Sequence, residues 1–358
     1  MSLDKLGYNA VLEQHRIDKG LQDFIAGRVI TENRERYIVM TESTILECEL
    51  LGNLRYTAEN RYDLPAVGDW VAISPFDAGH GIIHAIFPRK SILERQAAGK
   101  FGDIQIIAVN IDVALIIQAV DRDYNLNRLE RYLTVTYASK IEPVIILTKT
   151  DLRSEEEMDS ILDEVKKRIK DVPVITISNL SREGYDSLYP LLVKGKTYCL
   201  LGSSGAGKST LLNNLAGEQI METRDISSST GKGKHSTSHR ELIVLPGGGI
   251  VIDNPGMREI GIADTGTGLE STFDEIIRYS DQCRFADCTH TGEAGCAVIA
   301  AVENGEIERS VYDNFLKLSR ERARFKSTLA ERRKKDKEFG KMVKEVKRIK
   351  KKGEDLGM

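Results

Sequence analysis

Hydrophobic and polar positions follow three different patterns along this chain. In the first part the apolar positions form short strand-like segments, and Ile45–Leu50 alternates apolar with acidic residues as a half-buried strand does. Five such segments within about 65 residues, separated by turn residues, predict a small barrel, of which the OB-fold is a common RNA-binding example. A purely structural barrel explains the pattern equally well. The predicted strands are Phe24–Thr31, Arg36–Met40, Thr44–Leu50, Trp70–Ser74 and Gly81–Phe87.

From about Ile104 the pattern changes to strands that alternate with amphipathic helices. This alternation predicts βαβ units and a largely parallel sheet. The predicted strands are Val113–Val120, Pro143–Leu147, Val172–Ile177, Thr197–Leu201, Leu242–Leu245 and Gly249–Ile252. The predicted helices are Asn125–Ser139, Ser154–Lys170, Ser181–Val193 and Lys208–Leu215. The remainder, from Leu269, is predicted to be helical around a Cys/His cluster. The expected class is therefore α/β, with domains at 1–95, 96–265 and 266–358.

The composition, 41 % hydrophobic and 29 % charged, is typical of a globular protein. A chain of 358 residues is longer than a single hydrophobic core ordinarily supports, so we expect two or three domains. The sequence has no run of about 18 apolar residues, so it predicts no membrane span. The first twenty residues lack the apolar region of a secretory signal. We therefore expect a cytoplasmic protein without a membrane partner. Charge is uneven: residues 320–352 hold sixteen Lys/Arg against five Asp/Glu, whereas residues 1–319 hold thirty-five against forty-seven. The basic tail indicates a polyanionic partner, with a solvated end as an equal alternative.

A phosphate-binding loop is the clearest chemical signal. The pattern G-x-x-x-x-G-K-S occurs at residues 202–209, after a predicted strand and at the start of a predicted helix. Glycines let backbone amides point at phosphates, and the helix N-terminus adds positive potential. Lys208 is expected to reach the β- and γ-phosphates as a catalytic residue, and Ser209 to hold Mg²⁺. A ligand-free glycine turn is the alternative. The predicted nucleotide contacts here are Gly202, Ser203, Ser204, Gly205, Ala206, Gly207, Lys208, Ser209 and Thr210.

A second motif selects the base. Thr148, Lys149, Thr150 and Asp151 follow a predicted buried strand and resemble the [NT]-K-x-D box of GTPases. A carboxylate accepts two hydrogen bonds from guanine N1–H and the 2-amino group, where adenine offers no donors. The Lys149 stem would cover the base plane. The Thr148 hydroxyl, at a position where Asn is commoner, is expected to tether the phosphate loop.

Two further segments complete a nucleotide site. Ser178 and Asn179 follow another strand, where a GTPase places backbone donors to guanine O6. Asp253 and Gly256 form a D-x-x-G motif at the end of a strand; Asp253 is expected to hold Mg²⁺ through water, and the Gly256 amide to meet the γ-phosphate. The base box precedes the phosphate loop, the reverse of the usual order. A circular permutation explains this order, because domains tolerate permutation where their termini lie close.

The N-terminal barrel, the permuted motif order, the stretch Gly231-Lys232-Gly233-Lys234-His235 and the C-terminal Cys/His cluster together resemble the RsgA or YjeQ family of small-ribosomal-subunit-dependent GTPases. The resemblance implies an OB-fold, a permuted GTPase domain and a helical zinc domain. It also implies GTP hydrolysis stimulated by the small ribosomal subunit, and a role in that subunit's late maturation. Where the family usually has three threonines, this chain has a Ser-Thr-Ser run at 236–238, which keeps a hydroxyl at each position. The Mg²⁺ contact is left open among Ser236, Thr237 and Ser238, and Thr237 is expected to contact the nucleotide.

The residue that orients the attacking water is expected outside the usual position. Many GTPases place Gln after D-x-x-G, but this chain has Met257, which cannot orient water. His235, next to the hydroxyl run, is the candidate, because imidazole can accept a hydrogen bond from water or stabilise developing charge. An ordinary exposed loop histidine is the alternative.

Four zinc-type ligands lie within fourteen residues: Cys283, Cys288, His290 and Cys296. Zn²⁺ prefers four S/N ligands in a tetrahedron, and a closed set of this kind is structural. We expect one structural Zn²⁺ that supplies folding free energy, with free thiols as the alternative. Cys48 and Cys199 lie in strand patterns and are expected in the core.

The sequence therefore predicts a monomeric cytoplasmic GTPase that binds GTP or GDP, Mg²⁺ and Zn²⁺. Its partner would be the small ribosomal subunit and its rRNA, held by the barrel and the basic tail mainly through phosphates. A GTP-gated RNA-binding adaptor with incidental hydrolysis is one alternative. An ATP-using P-loop enzyme is another, which Asp151 disfavours.

Overall fold

The computed structural model describes residues 2–33, 36–96, 104–220, 241–253 and 266–326. Its first unit is a closed five-stranded barrel with strand order β1-β2-β3-β5-β4, which confirms the predicted OB-like barrel. Strands β3 and β5 pair in parallel and the other neighbours are antiparallel. Two helices that the sequence analysis did not predict, α1 and α2, accompany the barrel. The elements are α1 Ala10–Asp18, β1 Ile25–Asn33, β2 Arg36–Thr41, β3 Ile45–Leu50, α2 Gly52–Thr57, β4 Trp70–Asp77 and β5 His80–Ile86.

The barrel interior is apolar and includes Cys48, as expected. Helix α1 begins at Asn9, whose side chain accepts the amides of Val11 and Leu12. Trp70 is 2 % exposed and packs with Tyr8, ring centroids 4.9 Å apart, in the cluster that also contains Leu12 of α1. Trp70 is therefore a core residue and not a platform for stacking bases.

A two-stranded antiparallel hairpin, β6 Ile92–Gln96 and β7 Ile104–Val109, follows the barrel. The sequence analysis did not predict it as a hairpin. The expected boundary at residue 95 falls inside β6, and the boundaries at 95 and 265 stay predictions.

The third unit is a six-stranded sheet of order β10-β9-β8-β11-β13-β12, and among these strands β12 alone pairs antiparallel. Apolar clusters cover both faces, so the parallel strands are buried as a doubly covered sheet requires. Cys199 in β11 is fully buried, as expected. The elements are β8 Val113–Ala119, α3 Leu126–Ala138, β9 Glu142–Thr148, α4 Glu155–Arg168, β10 Val174–Ile177, α5 Tyr185–Leu188, β11 Thr197–Gly202, α6 Lys208–Ala216, β12 Glu241–Val244 and β13 Ile250–Asp253.

The helix expected over Ser181–Val193 was wrong in extent. The structure has only the four-residue α5, which continues into a 3₁₀ turn at Tyr189–Leu191. Gly184 explains the late start: it has φ +80°, and a Cβ there would stand 2.0 Å from the Thr176 carbonyl oxygen. Pro190 lacks the amide that a longer α-helix would need.

Arg28 joins the barrel to the sheet. Its side chain is 1 % exposed and donates to the carbonyls of Leu6 and Gly68, and to Thr197 Oγ1 at 2.8 Å on the strand before the phosphate loop. Burial lowers the pKa of Arg28 to about 10, so the guanidinium stays charged at neutral pH. The barrel is thus fixed to the strand that carries the loop.

The last unit contains four helices in the described residues, of which α7 and α10 pack against α3 of the sheet domain. The helices are α7 Gly266–Thr272, α8 Asp274–Ser280, α9 Ala297–Glu303 and α10 Arg309–Lys326. A Cβ on Gly268 of α7 would stand 2.0 Å from the Thr134 carbonyl oxygen of α3, so only glycine permits this approach. Glu130 of α3 pairs with Arg168 at 2.6 Å and accepts from Asn314 of α10. Glu130 and Asn314 are buried, and the Arg168 side chain is 7 % exposed. No helix in the described ranges has both the length and the apolar character that crossing a bilayer demands.

Candidate nucleotide-binding site and metal centre

The predicted nucleotide motifs meet at one edge of the sheet. Strands β8, β9, β10, β11 and β13 run parallel, so the loops that follow them share the carboxyl edge. Thr148 at the end of β9 pairs with both Ala119 and Ile177 on the neighbouring strands, and Gly202 at the end of β11 pairs with Ile117. Ligands of open α/β sheets bind at this edge.

The phosphate loop joins β11 to α6 and depends on its glycines. Gly205 and Gly207 have φ of +77° and +93°, where non-glycine residues are strained. A Cβ on Gly202 would stand 2.3 Å from the Ile117 carbonyl oxygen, and one on Gly207 would stand 2.5 Å from Asn179 Nδ2. The loop therefore packs directly against β8 and against the loop after β10.

Lys208 begins α6, and its ammonium lies inside the loop. Its Nζ donates to the carbonyl oxygens of Gly202 at 2.8 Å and Ser203 at 2.5 Å. The charge is thus held where phosphates would enter. Ser209 and Thr210 occupy the following helical positions. On the adjacent strand Ile252 pairs with Cys199, which places Asp253 at the same edge of the sheet.

Thr148 joins the base box to the phosphate loop. Its hydroxyl is buried and donates to the Ala206 carbonyl oxygen at 2.7 Å, the tether that the sequence analysis expected. In a planar trans peptide the carbonyl and the following amide point in opposite directions. Holding the Ala206 carbonyl outward therefore aims the Gly207 amide into the loop, as an anion-binding nest requires.

The base-box carboxylate is oriented before any nucleotide arrives. Asp151 accepts from Ser178 Oγ at 2.6 Å, and the Ser178 side chain is fully buried. The same hydroxyl accepts the amides of Leu180 and Ser181, so the loop after β10 is folded around it. The second carboxylate oxygen of Asp151 and the loop backbone are the groups that a guanine would meet.

Lys149 stands beside Asp151 in an unusual backbone conformation, with φ +63°. Its ammonium pairs with Asp121 at 2.7 Å. Partial burial alone would raise the pKa of Asp121, but the ammonium of Lys149 holds it below its ordinary value. Asp121 therefore stays ionised and positions the lysine stem.

Sequence reasoning missed Asp121 and Asp123, which lie in the loop after β8. Asp123 accepts from Ser203 Oγ of the phosphate loop at 2.6 Å and pairs with Arg128. Partial burial opposes ionisation, but Arg128 and Ser203 together hold the pKa of Asp123 below its usual range. The available signal was their position: both follow a strand that is apolar except for Gln118, at the edge where the other motifs were expected.

Several predicted site residues lie outside the described residues. These are His235, Thr237 and Gly256, together with Met257 and the basic tail after residue 326. Their predicted roles stay predictions.

The Cys/His cluster converges as the spacing predicted. The ligand atoms of Cys283, Cys288, His290 and Cys296 all lie within 4.8 Å of one another. The Sγ atoms of Cys283 and Cys296 are 3.9 Å apart, and they lie 3.6 and 3.5 Å from His290 Nδ1. With Zn–S near 2.3 Å and Zn–N near 2.05 Å, a tetrahedral site has S–S edges of about 3.8 Å and S–N edges of about 3.6 Å. The cluster could therefore hold Zn²⁺.

Local structure fixes these ligands. Cys296 caps α9, since its Sγ accepts the Ile299 amide, and the Tyr312 hydroxyl of α10 donates to the His290 carbonyl at 2.7 Å. Burial lowers the pKa of His290, which favours the neutral imidazole that binds metal. Between the ligands, Glu293 accepts the amides of Thr289, Thr291 and Gly292 and closes the loop.

Comparison with known proteins agrees with this geometry. A model of the RsgA GTPase family matches residues 86–263. The small ribosomal subunit biogenesis GTPase RsgA 1 of Bacteroides thetaiotaomicron is 40 % identical over 352 residues, which cover 98 % of each chain. RsgA 2 of Listeria monocytogenes is 41 % identical over 90 % of each chain.

Two solved structures share the architecture. The crystal structure of YjeQ from Thermotoga maritima has a TM-score of 0.61 and 27 % identity, and the match covers 84 % of this chain and 98 % of that one. YloQ, described as a circularly permuted GTPase, has a TM-score of 0.61 and 26 % identity, with 85 % and 97 % covered. In this chain the base box precedes the phosphate loop, which is the order expected of a circularly permuted GTPase domain. Sequence, fold and motif geometry thus agree, and this chain belongs to the RsgA GTPase family.

Proposed function

We propose that this chain binds the small ribosomal subunit, hydrolyses GTP to GDP and phosphate there, and assists late maturation of that subunit. The observation that carries the proposal is Asp151. Its carboxylate is held by buried Ser178 at the carboxyl edge that also carries the phosphate loop. This pairing gives a guanine-specific acceptor beside a phosphate site, and adenine has no donors to match it.

Base recognition would use three groups. Asp151 accepts the guanine N1–H and 2-amino hydrogens, the Lys149 stem covers one face of the ring, and the backbone of Ser178 and Asn179 donates to O6. Thr150 lies between the two base-box side chains and shapes the turn that presents them.

The phosphates would lie in the loop that follows β11. The Lys208 ammonium exchanges its bonds to the Gly202 and Ser203 carbonyls for bonds to phosphate oxygens, and the loop amides complete the nest. The oxygen ligands that suit Mg²⁺ are the Ser209 hydroxyl, the Asp253 carboxylate through water, and Thr237. When bound, Mg²⁺ neutralises charge on the β- and γ-phosphates. The Gly256 amide would donate to the γ-phosphate.

Hydrolysis requires that an attacking water be oriented. Met257 offers neither a donor nor a strong acceptor, so we assign this role to His235. The assignment predicts slow turnover by the free protein and faster turnover when the small subunit positions His235 beside the γ-phosphate.

The metal centre would hold one structural Zn²⁺. All four protein ligands are present, which leaves no open position for catalysis. The resulting unit rests on the GTPase domain through the buried contact of Glu130, Arg168 and Asn314. The segment 254–265 connects Asp253 directly to α7 of this unit, so nucleotide state is proposed to alter its placement.

Partner binding is assigned to two regions. Relatives named for small ribosomal subunit biogenesis support the subunit as the partner, and the barrel and the basic tail would contact its rRNA mainly through phosphates. We further propose a monomeric protein that works in the cytoplasm. An adaptor with incidental hydrolysis is the alternative in a different class, and turnover with small subunits separates the two.

The base assignment is tested by Asp151→Asn. The substitution replaces a double acceptor with a group that also donates, so GDP affinity should fall by about 2–4 kcal/mol. Xanthosine diphosphate has a carbonyl oxygen in place of the 2-amino group, so it should bind the variant better than it binds the native protein. Glu155→Gln, which removes a carboxylate from an exposed helix start nearby, is the control. Unchanged GDP binding by Asp151→Asn would remove Asp151 from the base role.

A further inference from the structure

Three polar side chains outside the recognised motif roles form a cluster behind the phosphate loop: Asn179, Tyr185 and Asn214. The Tyr185 hydroxyl donates to Asn179 Oδ1 at 2.7 Å and accepts from Asn214 Nδ2 at 2.9 Å. Asn179 Nδ2 donates to the Gly207 carbonyl oxygen at 3.1 Å. Tyr185 is 3 % exposed, and its ring packs in the apolar cluster beneath α6.

Tyr185 fixes which way the Asn179 amide faces. A tyrosine hydroxyl has one hydrogen to donate. Because its oxygen already accepts from Asn214, that hydrogen is free for Asn179 Oδ1, which leaves Asn179 Nδ2 facing the loop. A flipped amide would point its oxygen at the Gly207 carbonyl oxygen, which already accepts the Leu211 amide at 2.9 Å, and the Asn179 amide oxygen would then lack a donor.

The Asn179 contact acts together with the first turn of α6 to orient one amide of the phosphate loop, because the Gly207 carbonyl oxygen accepts both Asn179 Nδ2 and the Leu211 amide, the latter at 2.9 Å. The Gly207 carbonyl is held outward, and the Lys208 amide in the same planar peptide must therefore point inward. Thr148 does the same for the preceding peptide through the Ala206 carbonyl. Two consecutive amides of the phosphate loop, those of Gly207 and Lys208, thus point at the phosphate site. A side chain of the base box supports the first, and a side chain of the loop after β10 supports the second.

Asn214 links the two loops a second time. Its Nδ2 also donates to the Asn179 carbonyl at 3.0 Å. Asn214 lies on α6, the helix that follows the phosphate loop. The base-side loop is therefore attached to the phosphate loop and to its helix.

We infer that Asn179 is a positioning residue for phosphate binding, held in orientation by Tyr185 and Asn214. This rests on the proposed function, because it takes residues 202–209 as the nucleotide phosphate site. The predicted consequence is selective: the loss of Asn179 or its support weakens the hold on the β-phosphate more than the hold on the base.

The test compares GDP with GMP, which lacks the β-phosphate that the loop cradles. Affinities are measured by titration for the native protein, Asn179→Ala and Tyr185→Phe. Tyr185→Phe keeps the buried ring and removes only the hydroxyl. Tyr189→Phe, at a tyrosine 47 % exposed on the following turn, is the matched control. We expect the GDP-to-GMP affinity ratio to fall about three- to tenfold in both variants, the scale of one lost hydrogen bond, and to stay unchanged in the control.

The ratio is independent of the folded fraction, so a variant that is merely less stable leaves it unchanged. Equal losses for GDP and GMP would overturn the inference, since the cluster would then serve only the base-side loop. Native affinities for both nucleotides in Asn179→Ala would overturn it as well. Failure of the proposed function has a different signature, because the native protein would then bind ADP as well as GDP.

Discussion

Thr148→Val removes one hydroxyl and tests whether the base box organises the phosphate loop. The side chain keeps its shape, but the Ala206 carbonyl loses the donor at 2.7 Å. Thr148 is 0 % and Ala206 1 % exposed, so water is poorly placed to replace the donor. An unsatisfied buried carbonyl costs about 1–3 kcal/mol. Without nucleotide, the variant avoids this cost by rotating the peptide between Ala206 and Gly207. Nucleotide binding must then return that peptide to its native orientation, and the cost appears as lost affinity.

GDP affinity of Thr148→Val should therefore fall by about 5- to 150-fold, since each 1.4 kcal/mol is about tenfold. Thr148→Ser retains the donor and is the control, with affinity expected close to native. Isothermal titration of both variants, with thermal unfolding measured alongside, separates binding from stability. A Thr148→Val protein that melts earlier but binds GDP within about threefold of native would refute the tether as an organiser of the loop.

Three further predictions concern the zinc unit, the tail and the attacking water. Purified protein should contain one Zn²⁺ per chain by elemental analysis, and Cys288→Ala should raise amide exchange around 283–296 while GDP still binds; zinc-free, folded native protein would contradict this. Deletion after residue 325 should weaken small-subunit binding and make its salt dependence shallower, because fewer counterions are released on binding. If the dependence of affinity on salt concentration is unaltered, the tail is only a solvated end. His235→Ala should lose about 100-fold of subunit-stimulated turnover with GTP binding retained; a rate within about threefold of native would assign the water to another group.

The architecture was largely predictable because its signals are local. Strands such as Val113–Ala119, apolar except for Gln118, and helices such as Glu155–Arg168, which Ser154 caps, carry their identity in their own residues. The helix expected over Ser181–Val193 was too long because the apolar spacing was followed across Gly184 and Pro190, two residues that disfavour a continuous helix. The structural need for Gly184, its close approach to Thr176, is a contact that the sequence does not show.

The candidate site divides in the same way. Motif residues such as Asp151 and Lys208 were identified from their sequence spacing, because binding a phosphate or a guanine requires particular residue types at fixed distances along the chain. Supporting residues such as Asp121 and Tyr185 were missed, because each acts through a partner that only the fold brings near. Buried Arg28, which joins the barrel to Thr197, gave no signal either, since an arginine in a strand pattern ordinarily faces solvent.

GTP turnover measured as a function of small-subunit concentration decides whether the small subunit stimulates hydrolysis by this protein. We expect slow hydrolysis by the protein alone, a rate that rises and saturates as small subunits are added, and no comparable rise with ATP or with large subunits. Turnover that is indifferent to small subunits, while the protein still binds them, would contradict the account and favour an adaptor whose hydrolysis is incidental.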